Sequence, residues 1–573
     1  MSLVRRTASR AWRLGKRAAR RAERGAVAPI WRIRVARRRA VLRRVLPDVV
    51  PVVVERRRVL GRPAESYVST EAAAQSLKLV SDVLETAGIP YFLVPGHNWL
   101  RHVVSVERKH RAAFLEAATR ELSRTPVYVG AVDRDDGLSV TGHCSDGRLP
   151  QAVREAAVVR MGIVHLGPRG QVLGGFEDGC DIEFWQRGEE AGGTPGGDGK
   201  FWFSVPGSDL TDTFPESLVA PRLNRISEVV PAEAQKQATV TVGGLQVPTF
   251  QPFAQRTVDE VSFAVDAVYT WVDGDEPELA AKREAYRDGS SAIAGREVGM
   301  SRYTDSDELR YSLRSLEMHA SFVRHVYLVT DGQTPPWLDV NAPGLTVVDH
   351  RDILPASALP VFNSHAIETC LYRIDGLSED YLYLNDDVFF GRPVRAEHFF
   401  HGNGIARIPF SPYKLGLGLP HGGEPAPNSA GKNVRRVIQE QHDRFITNKF
   451  LHTPHPQLRS VMREIAEAGF PELERTTHSR FRSTEDVAVA ATFHHHWAIL
   501  TGRAVPGDYS FRYVDVGRPD LHDRLARLRK HNDVDFFCLN DVDTDVEARD
   551  SIRRAVDGFL EWKFPFPSRF ERS

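Results

Sequence analysis

The chain has 573 residues, 42% of them apolar, and 75 basic residues balance 75 acidic ones. This composition excludes a wholly disordered chain and predicts two to four domains with hydrophobic cores. Four widely spaced cysteines exclude a disulfide framework, and no apolar run approaches the ~20 residues that cross a bilayer. We expect a cytoplasmic protein, either free or peripheral at the inner face of the membrane.

Residues 1–60 form a basic segment. Roughly sixteen Lys or Arg stand against one Glu in the first 45 positions, interleaved with apolar residues such as Trp12, Leu14 and Trp31. Basic helices with aromatic residues can lie on an anionic membrane surface, which is the partner we predict for this segment. A flexible, solvated basic tail is the alternative. Nucleic acid is not expected as a partner, because no groove-reading module is recognisable.

Residues 65–250 have the pattern of a separate α/β domain. TEAAAQSLKLVSDVLETAG predicts a helix, IPYFLVPG a strand and HRAAFLEAATREL a second helix, and strand-like runs follow up to CDIEFW. Asp181 and Glu183 alternate on this last strand, which resembles a nucleotidyltransferase-like domain through one weak motif. We favour an accessory or acceptor-positioning domain over a second catalytic centre.

Residues 262–573 carry four acidic clusters that each close a strand-like apolar run: FAVDAVYTWVDGDEP, HVYLVTDG, LTVVDHRD and YLYLNDDVFFG. Alternation of these runs with helices predicts a Rossmann-like, mostly parallel sheet. Ligands bind beyond the carboxyl ends of such strands, so the acidic side chains there would converge. They are Asp273, Asp331, Asp349, Asp386 and Asp387. Hard oxygen ligands in a crevice suit Mg²⁺ or Mn²⁺ bound to a diphosphate.

A helix is predicted over residues 305–320, with Asp305 and Glu308 in capping-box spacing, and another over 364–374. Arg310 and Arg314 share a face of the first helix, where an anion would relieve their repulsion. We predict that they bind the donor phosphate, with pairing to Glu317 or to sheet carboxylates as the alternative. Residues 400–445, rich in Gly, Pro and His, predict a loop or lid over the crevice.

Two Asn-Asp pairs follow strand-like runs far apart in the chain. LYLNDDVFF contains Asn385, and FFCLNDVDTD contains Asn540, Asp541 and Asp543. Asp386, Asp387, Asn540 and Asp541 are predicted to hold the metal, and Asn385 to bind the donor. Aspartates at strand ends also form turns and cap helices, which is the structural alternative.

KFLHTPHPQLRS places His452 and His455 in an extended segment stiffened by two prolines, just before a helix. We interpret His455, with a pKa near neutral, as a base for an attacking hydroxyl or as a phosphate contact; a structural role is the alternative.

HSRFRSTEDV places Arg480 and Arg482 ahead of a helix start marked by Ser483 and Asp486. A guanidinium at such a place can bind phosphate. The run at residues 494–496 lies in an apolar helix, where consecutive side chains point about 100° apart, so these histidines are expected to pack rather than share a metal.

Taken in order, these motifs resemble the Stealth family of sugar-phosphate transferases, which includes bacterial capsular and exopolysaccharide phosphotransferases and the N-acetylglucosamine-1-phosphotransferase that marks lysosomal enzymes. DAVYTWVDGDEP resembles the first family block, and the stretch from RYTDSDELRYSL to YLYLNDDVFFGRPV the second. LHTPHPQLRS with RFRSTEDV resembles the third, and FFCLNDVDTDVEARDSIRRAVDGFLEWKFPFPSRFE the fourth. The resemblance covers roughly residues 262–573 and leaves the first 250 residues without an assigned role.

The resemblance implies transfer of a hexose-1-phosphate from a nucleotide sugar, preferably a UDP-sugar, to a hydroxyl of a glycan acceptor. A phosphodiester would form in a capsular or exopolysaccharide, and a nucleoside monophosphate would leave. It places donor-binding or catalytic roles on Asp273, Asp386, Asp387, His455, Arg482, Asn540 and Asp541. A metal-dependent glycosyltransferase that releases a nucleoside diphosphate is the nearest rival, and a non-catalytic polysaccharide or membrane scaffold a more distant one.

Overall fold

The computed structural model describes residues 33–190, 194–195, 201–202, 215–286, 307–541 and 547–572. The chain divides into two compact units, one ending at Gln255 and one beginning at Arg256. Helices and strands alternate in both, so the protein is of the mixed α/β class. No helix in these ranges is both long enough and apolar enough to span a membrane.

The first unit contains sixteen strands and four α-helices within its described residues. The helices are residues 33–45 (α1), α2 Ser69–Thr86, α3 Arg111–Glu121 and α4 Gln151–Glu155. The strands are β1 Val50–Val54, β2 Arg57–Pro63, β3 Tyr91–Val94, β4 Val103–Glu107, β5 Tyr128–Val132, β6 Leu138–His143, β7 Val158–Gly162, β8 Val164–Leu166, β9 Val172–Gly174, β10 Cys180–Arg187, β11 Thr194–Pro195, β12 Phe201–Trp202, β13 Leu218–Val219, β14 Val229–Val230, β15 Gln237–Val242 and β16 Leu245–Phe250.

The described end of the basic segment packs onto this first unit. Leu42 of α1 is buried with Val49 and Leu60 in a small apolar cluster. Arg39 donates to both carboxylate oxygens of Asp146, at 2.7 and 2.8 Å. This arginine is therefore engaged by a protein carboxylate. Trp12, Leu14 and Trp31 lie outside the described residues, and the predicted contact with an anionic membrane surface gains no support.

Strand β10 runs through the main sheet of this unit, parallel to β4 and antiparallel to β7. It carries Asp181 and Glu183, both buried, and their carboxylates meet guanidinium groups. Arg160 donates to Asp181 through Nε at 2.6 Å, while Arg222 donates to Asp181 at 2.7 Å and to Glu183 at 2.6 Å. With Arg101 and Asp136 these side chains form what we call the arginine-locked cluster, in which three cations balance three anions.

The second unit contains twelve strands and ten α-helices within its described residues. The strands are β17 Val265–Thr270, β18 Val323–Thr330, β19 Leu345–Asp349, β20 Asp380–Asn385, β21 Val388–Phe390, β22 Ala406–Ile408, β23 Phe410–Lys414, β24 Asn448–Phe450, β25 His455–Leu458, β26 Ala504–Pro506, β27 Phe511–Asp515 and β28 Phe536–Asn540. The helices are α5 Pro277–Ala285, α6 Glu308–His319, α7 His350–Ile353, α8 Ser364–Glu368, α9 Ala426–His442, α10 Arg459–Glu467, α11 Pro471–Thr477, α12 His494–Leu500, α13 Leu521–Lys530 and α14 Arg549–Lys563.

A five-stranded sheet in the order β19-β18-β17-β20-β25 forms the centre of this unit. The first four strands are parallel, and β25 pairs antiparallel with β20. Alternate residues enter different cores: Leu382 and Leu384 pack with Leu313 of α6, whereas Tyr381 and Tyr383 pack in a second apolar cluster on the other face. Burial of both faces explains why these strands are nearly continuous apolar runs.

Three local predictions need correction. The region 400–445 is not only a loop, because α9 occupies seventeen of its residues and buries Val434 and Ile438. Helix α6 begins at Glu308, and Asp305 lies outside the described residues. The Asp486 carboxylate accepts the Ser483 N–H as a capping box would, but only a turn follows these two residues, and the next helical segment begins at Val489.

Candidate active site

The second unit has its most chemically rich cluster at the carboxyl end of β20. The turn after this strand contains Asp386 and Asp387, and β21 then pairs antiparallel with β28, with Val388 opposite Cys538. This pairing brings two segments about 150 residues apart in the chain into contact. The Cys538 thiol donates to Oδ2 of Asp387 at 3.1 Å, and Nδ2 of Asn540 donates to the same oxygen at 2.9 Å.

His452 completes the surroundings of Asp387 from a third segment, between β24 and β25. Its Nε2 lies 3.2 Å from Oδ1 of Asp387 and 3.5 Å from Nδ2 of Asn385. Burial opposes both charges, yet the pKa of Asp387 is lowered, chiefly by His452, and the pKa of His452 is raised by Asp387. Each side chain therefore favours the charged form of the other, and one third of the His452 side chain remains exposed.

Asp387, His452 and Cys538 can together hold a metal ion. Their ligand atoms all lie within 4.8 Å of one another. Burial, and then the neighbouring Asp387, raises the pKa of the Cys538 thiol, so binding through sulfur would require loss of its proton. With the thiol the group suits a borderline ion such as zinc, whereas the carboxylate oxygens alone suit magnesium.

The structure brings part of the predicted metal set together. Asp387 and Asn540 are in direct contact, and the negative charge of Asp386 raises the pKa values of both His452 and Cys538. Asp541 follows Asn540 directly and is partly buried, while Asp543 lies outside the described residues.

Sequence reasoning gave Cys538 no role in the site and gave His452 only a place beside His455. The sequence does contain a signal for Cys538. This residue lies two positions before Asn540 on β28, so the two side chains point to the same face of the strand. No local pattern connects His452 with Asp387.

His455 is the first residue of β25 and pairs with Tyr383 of β20, so the extended segment predicted here is a strand from this residue on. Its Nδ1 lies 3.0 Å from Nε2 of His495, and its ring centre is 6.5 Å from that of His452. Burial, followed by the charge of His452, lowers the pKa of His455 to about 3, so the expected near-neutral pKa is not found. His455 is uncharged at neutral pH.

The histidine run packs, as predicted. His494 and His495 are fully buried in α12, and His496 is 7% exposed. Nε2 of His494 accepts the backbone N–H of Leu458 at 2.8 Å. The run thereby ties α12 to both ends of β25, and His495 orients His455.

Arg482 approaches the carboxyl end of the sheet from the segment after α11. Its Nη2 donates to the Ser364 hydroxyl, at the start of α8, at 2.9 Å. The buried Tyr383 hydroxyl lies 3.1 Å from Oγ1 of Thr270 at the end of β17. Burial and then Glu368 raise its pKa, Arg482 lowers it, and Asp386 raises it. Arg482 and Asp386 are therefore both within electrostatic reach of one hydroxyl.

The remaining aspartates at the strand ends have separate partners. Asp273 is held through its backbone, which exchanges two hydrogen bonds with the Gln333 side chain, and its carboxylate accepts the Asp275 N–H. Asp331 pairs with Lys282. Asp349 caps α7 and binds Arg351. In the described part of the chain, none of these three carboxylates makes a hydrogen bond or an ion pair with Asp387.

Arg310 and Arg314 meet a carboxylate that sequence reasoning did not consider. Both donate to Glu571, Arg310 at 2.6 Å and Arg314 at 2.6 and 2.7 Å, and Arg314 also donates to the Phe564 carbonyl. Glu317 instead accepts the Arg569 N–H. The two arginines thus fasten the C-terminal segment to α6, and a role in donor binding stays a prediction.

The carboxyl edge of a parallel α/β sheet is where enzymes of this class of fold bind their substrates, and the cluster around Asp387 lies there. Models of the four Stealth conserved regions match this chain: region 1 at residues 263–291, region 2 at 302–408, region 3 at 451–499 and region 4 at 526–573. These matches contain the candidate site, with Asp387 in region 2, His452 and His455 in region 3, and Asn540 in region 4.

The chain is also similar to curated proteins over most of its length. The exopolysaccharide phosphotransferase SCO6023 of Streptomyces coelicolor is 39% identical over 90% of this chain and 84% of its own. The exopolysaccharide phosphotransferase CpsY of Mycobacterium tuberculosis is 34% identical over 91% of this chain and 93% of its own. The chain therefore belongs to the Stealth family, and it is a phosphotransferase.

Proposed function

We propose that the protein transfers a hexose-1-phosphate from a nucleotide sugar, preferably a UDP-sugar, to a hydroxyl of a growing exopolysaccharide. The acceptor oxygen bonds to the phosphorus that carries the hexose, the bond from that phosphorus to the bridging oxygen breaks, and a nucleoside monophosphate leaves. Support comes from the names of the relatives and from one observation, the Asp387 carboxylate bound by His452, Cys538 and Asn540.

We interpret the central sheet as Rossmann-like, because its order β19-β18-β17-β20 changes direction between β17 and β20. A donor would bind at this switch point, where Asp273 follows β17 and Asp387 follows β20. The polymer acceptor would approach from the same edge. We keep a cytoplasmic location as part of the proposal, in agreement with four cysteines that are all free thiols.

Of the two roles predicted for His455, we keep the phosphate contact, because a group whose pKa is lowered to about 3 is too weak a base for a hydroxyl proton, which would pass to water. His455 is uncharged, and its contact with His495 fixes the ring orientation. Arg482 would stabilise the charge on the phosphoryl oxygens, since a guanidinium offers two parallel donors to phosphate. Mg²⁺ or Mn²⁺, bound through Asp386 and Asp387 with Asn540 and Asp541 nearby, would neutralise the diphosphate of the donor.

The released nucleotide tests the proposal. Purified full-length protein is incubated with UDP- and GDP-sugars, Mg²⁺ and oligosaccharide acceptors, and nucleotides are resolved by chromatography while ³¹P NMR reports the product linkage. A nucleoside monophosphate with a phosphodiester signal is expected. A nucleoside diphosphate with a purely glycosidic product would instead show ordinary glycosyl transfer. Repeating the assay after chelation, with Mg²⁺, Mn²⁺ or Zn²⁺ restored separately, identifies the metal.

A further inference from the structure

A basic cavity of about 580 Å³ opens between β27 and α13 of the second unit. Its polar lining consists of Arg512, Tyr513, Arg524, Arg527, His531 and Asp533. Sequence reasoning did not select the residues that line the cavity. Strand β27 and the first half of α13 precede the match to Stealth region 4, and the second half of α13 lies at the start of that match. Its function has to be inferred from its charge and its position.

The cavity carries an excess of positive charge. Asp533 is the one carboxylate in its lining and lies 3.7 Å from Arg512, a loose contact. Arg524 is paired at 2.9 Å with Asp520, the residue just before α13. Arg527 makes no ion pair with any carboxylate in the described part of the chain. Three guanidinium groups around one concave surface favour a phosphate oxyanion, because their N–H groups match its oxygens in pairs.

The cavity is connected to the candidate active site by two hydrogen bonds. The Tyr513 hydroxyl donates to Oδ1 of Asn540 at 3.0 Å, and Nδ2 of Asn540 donates to Asp387 at 2.9 Å. The connection follows from the parallel pairing of β27 with β28, which sets Tyr513 beside Cys538. A ligand that contacts Tyr513 in the cavity would therefore be linked to Asp387 through two successive hydrogen bonds.

We propose that this cavity binds a phosphate ester group of a substrate. The inference rests on the proposed function, in which two substrates carry such a group: the donor has a diphosphate, and the acceptor becomes a phosphodiester once the first sugar phosphate has been added. Arg524 and Arg527 supply the charge, and Tyr513 positions Asn540 relative to the bound group.

Binding without turnover tests the cavity independently of the reaction. Isothermal titration calorimetry on the full chain, at low ionic strength with Mg²⁺, uses three probes: inorganic pyrophosphate, UDP-N-acetylglucosamine and two hexoses joined by a phosphodiester. The same two hexoses in a glycosidic linkage serve as the uncharged comparison. Arg527→Ala and Arg524→Ala are compared with Lys530→Ala, which removes an exposed charge from α13 outside the cavity, and Arg527→Lys keeps the charge.

Arg527→Ala is expected to weaken at least one charged probe about tenfold, the loss of one strong charge-assisted contact. Lys530→Ala should bind as the wild type does, and Arg527→Lys should fall between. Loss confined to UDP-N-acetylglucosamine identifies the donor as the source of the phosphate, and loss confined to the phosphodiester identifies the acceptor. Unchanged binding of all three charged probes to both alanine variants overturns the proposal, as does a wild type that binds none of them. The wild-type protein could bind the phosphodiester through Arg527 and yet release a nucleoside diphosphate in the turnover assay. That result would support the cavity proposal and refute only the proposed reaction.

Discussion

The two units of the molecule surround their strand-borne carboxylates with different partners. In the first unit, Asp181 is 1% exposed in its side chain and accepts from two arginines. In the second, Asp387 is 14% exposed and accepts from an imidazole, a thiol and an amide. Arginine is permanently charged and cannot give up its role, whereas a histidine or thiol can exchange its proton and turn toward a ligand.

The pKa values express this difference. Burial would raise the pKa of Asp181, but Arg160 and Arg101 together with Arg222 lower it to about 2. The pKa of Asp387 is also lowered, with His452 as the main favourable partner. A D-x-E pair on a buried strand is therefore not sufficient to indicate catalysis. The identity of the partners distinguishes a structural cluster from a candidate site.

The largest effect is expected at Asp387. Asp387→Asn keeps the size of the side chain but removes the charge that pairs with His452 and would bind a metal. Turnover should fall by about 10²–10³-fold, as when a major electrostatic group is lost from an active site, and circular dichroism should be unchanged.

Asp443→Asn makes the same chemical change at an exposed position whose left-handed conformation asparagine tolerates, and it serves as the control. If Asp387→Asn retained wild-type turnover, the different partners of Asp181 and Asp387 would not reflect a difference in function.

Arg160→Met should affect stability rather than activity. The change leaves Asp181 buried without its main partner, which typically costs about 3–5 kcal/mol. Chemical denaturation monitored by hydrogen exchange should show early opening of β7 and β10, with normal turnover per folded molecule. Arg134→Met, at an exposed position of the same unit, is the matched comparison. A specific loss of activity in folded Arg160→Met protein would mean that the arginine-locked cluster serves the reaction after all.

On acidification, the histidine run should lose its contribution to stability at a higher pH than the arginine-locked cluster. Burial, and then Arg503, lowers the pKa of His494 to about 3 from an ordinary 6.5. The unfolded chain therefore binds a proton that the folded chain excludes, so this contribution to stability is complete above pH 6.5 and is lost as pH falls toward 3. Asp181, with its pKa lowered to about 2 from 3.8, contributes fully above pH 3.8 and loses its contribution only as pH falls toward 2.

His494→Gln tests this sign, because glutamine can still accept the Leu458 N–H but does not titrate. The difference in unfolding free energy between wild type and variant should shrink as pH falls from 6.5 to 4. A difference that stays constant over that range would show that His494 is protonated equally in the folded and unfolded states.

The smallest effect is expected at Arg310. Its side chain is one third exposed and makes one bond to Glu571, so Arg310→Ala should cost at most about 1 kcal/mol. Arg314→Ala should cost more, because Arg314 is 8% exposed and makes three bonds. Thermal unfolding ranks the two variants. Calorimetry with UDP-N-acetylglucosamine completes the comparison: a large loss of affinity in Arg310→Ala would support the donor role predicted for these arginines.

Much of the architecture follows from local sequence. The apolar runs of β17, β18, β19 and β20 predicted a mostly parallel sheet, and the prolines around His455 predicted an extended chain. The loop prediction over residues 400–445 needed correction because most of its glycines and prolines lie before α9, whereas Pro427 in the first turn and Gly431 are accommodated within the helix. Asn385, Asp387 and Asn540 could be placed at strand ends from the alternation of apolar residues alone.

Sequence by itself determined the α/β class, the strand ends that carry carboxylates and the family to which the motifs belong. Tertiary structure decided which partners those carboxylates meet: Asn540 and Cys538 reach Asp387 only through the β21–β28 pairing, and Glu571 reaches Arg314 across 257 positions. The physical reason is that backbone periodicity and turn formation depend on neighbouring residues, whereas the environment of a carboxylate is set by side chains that only the folded chain brings within a few ångströms.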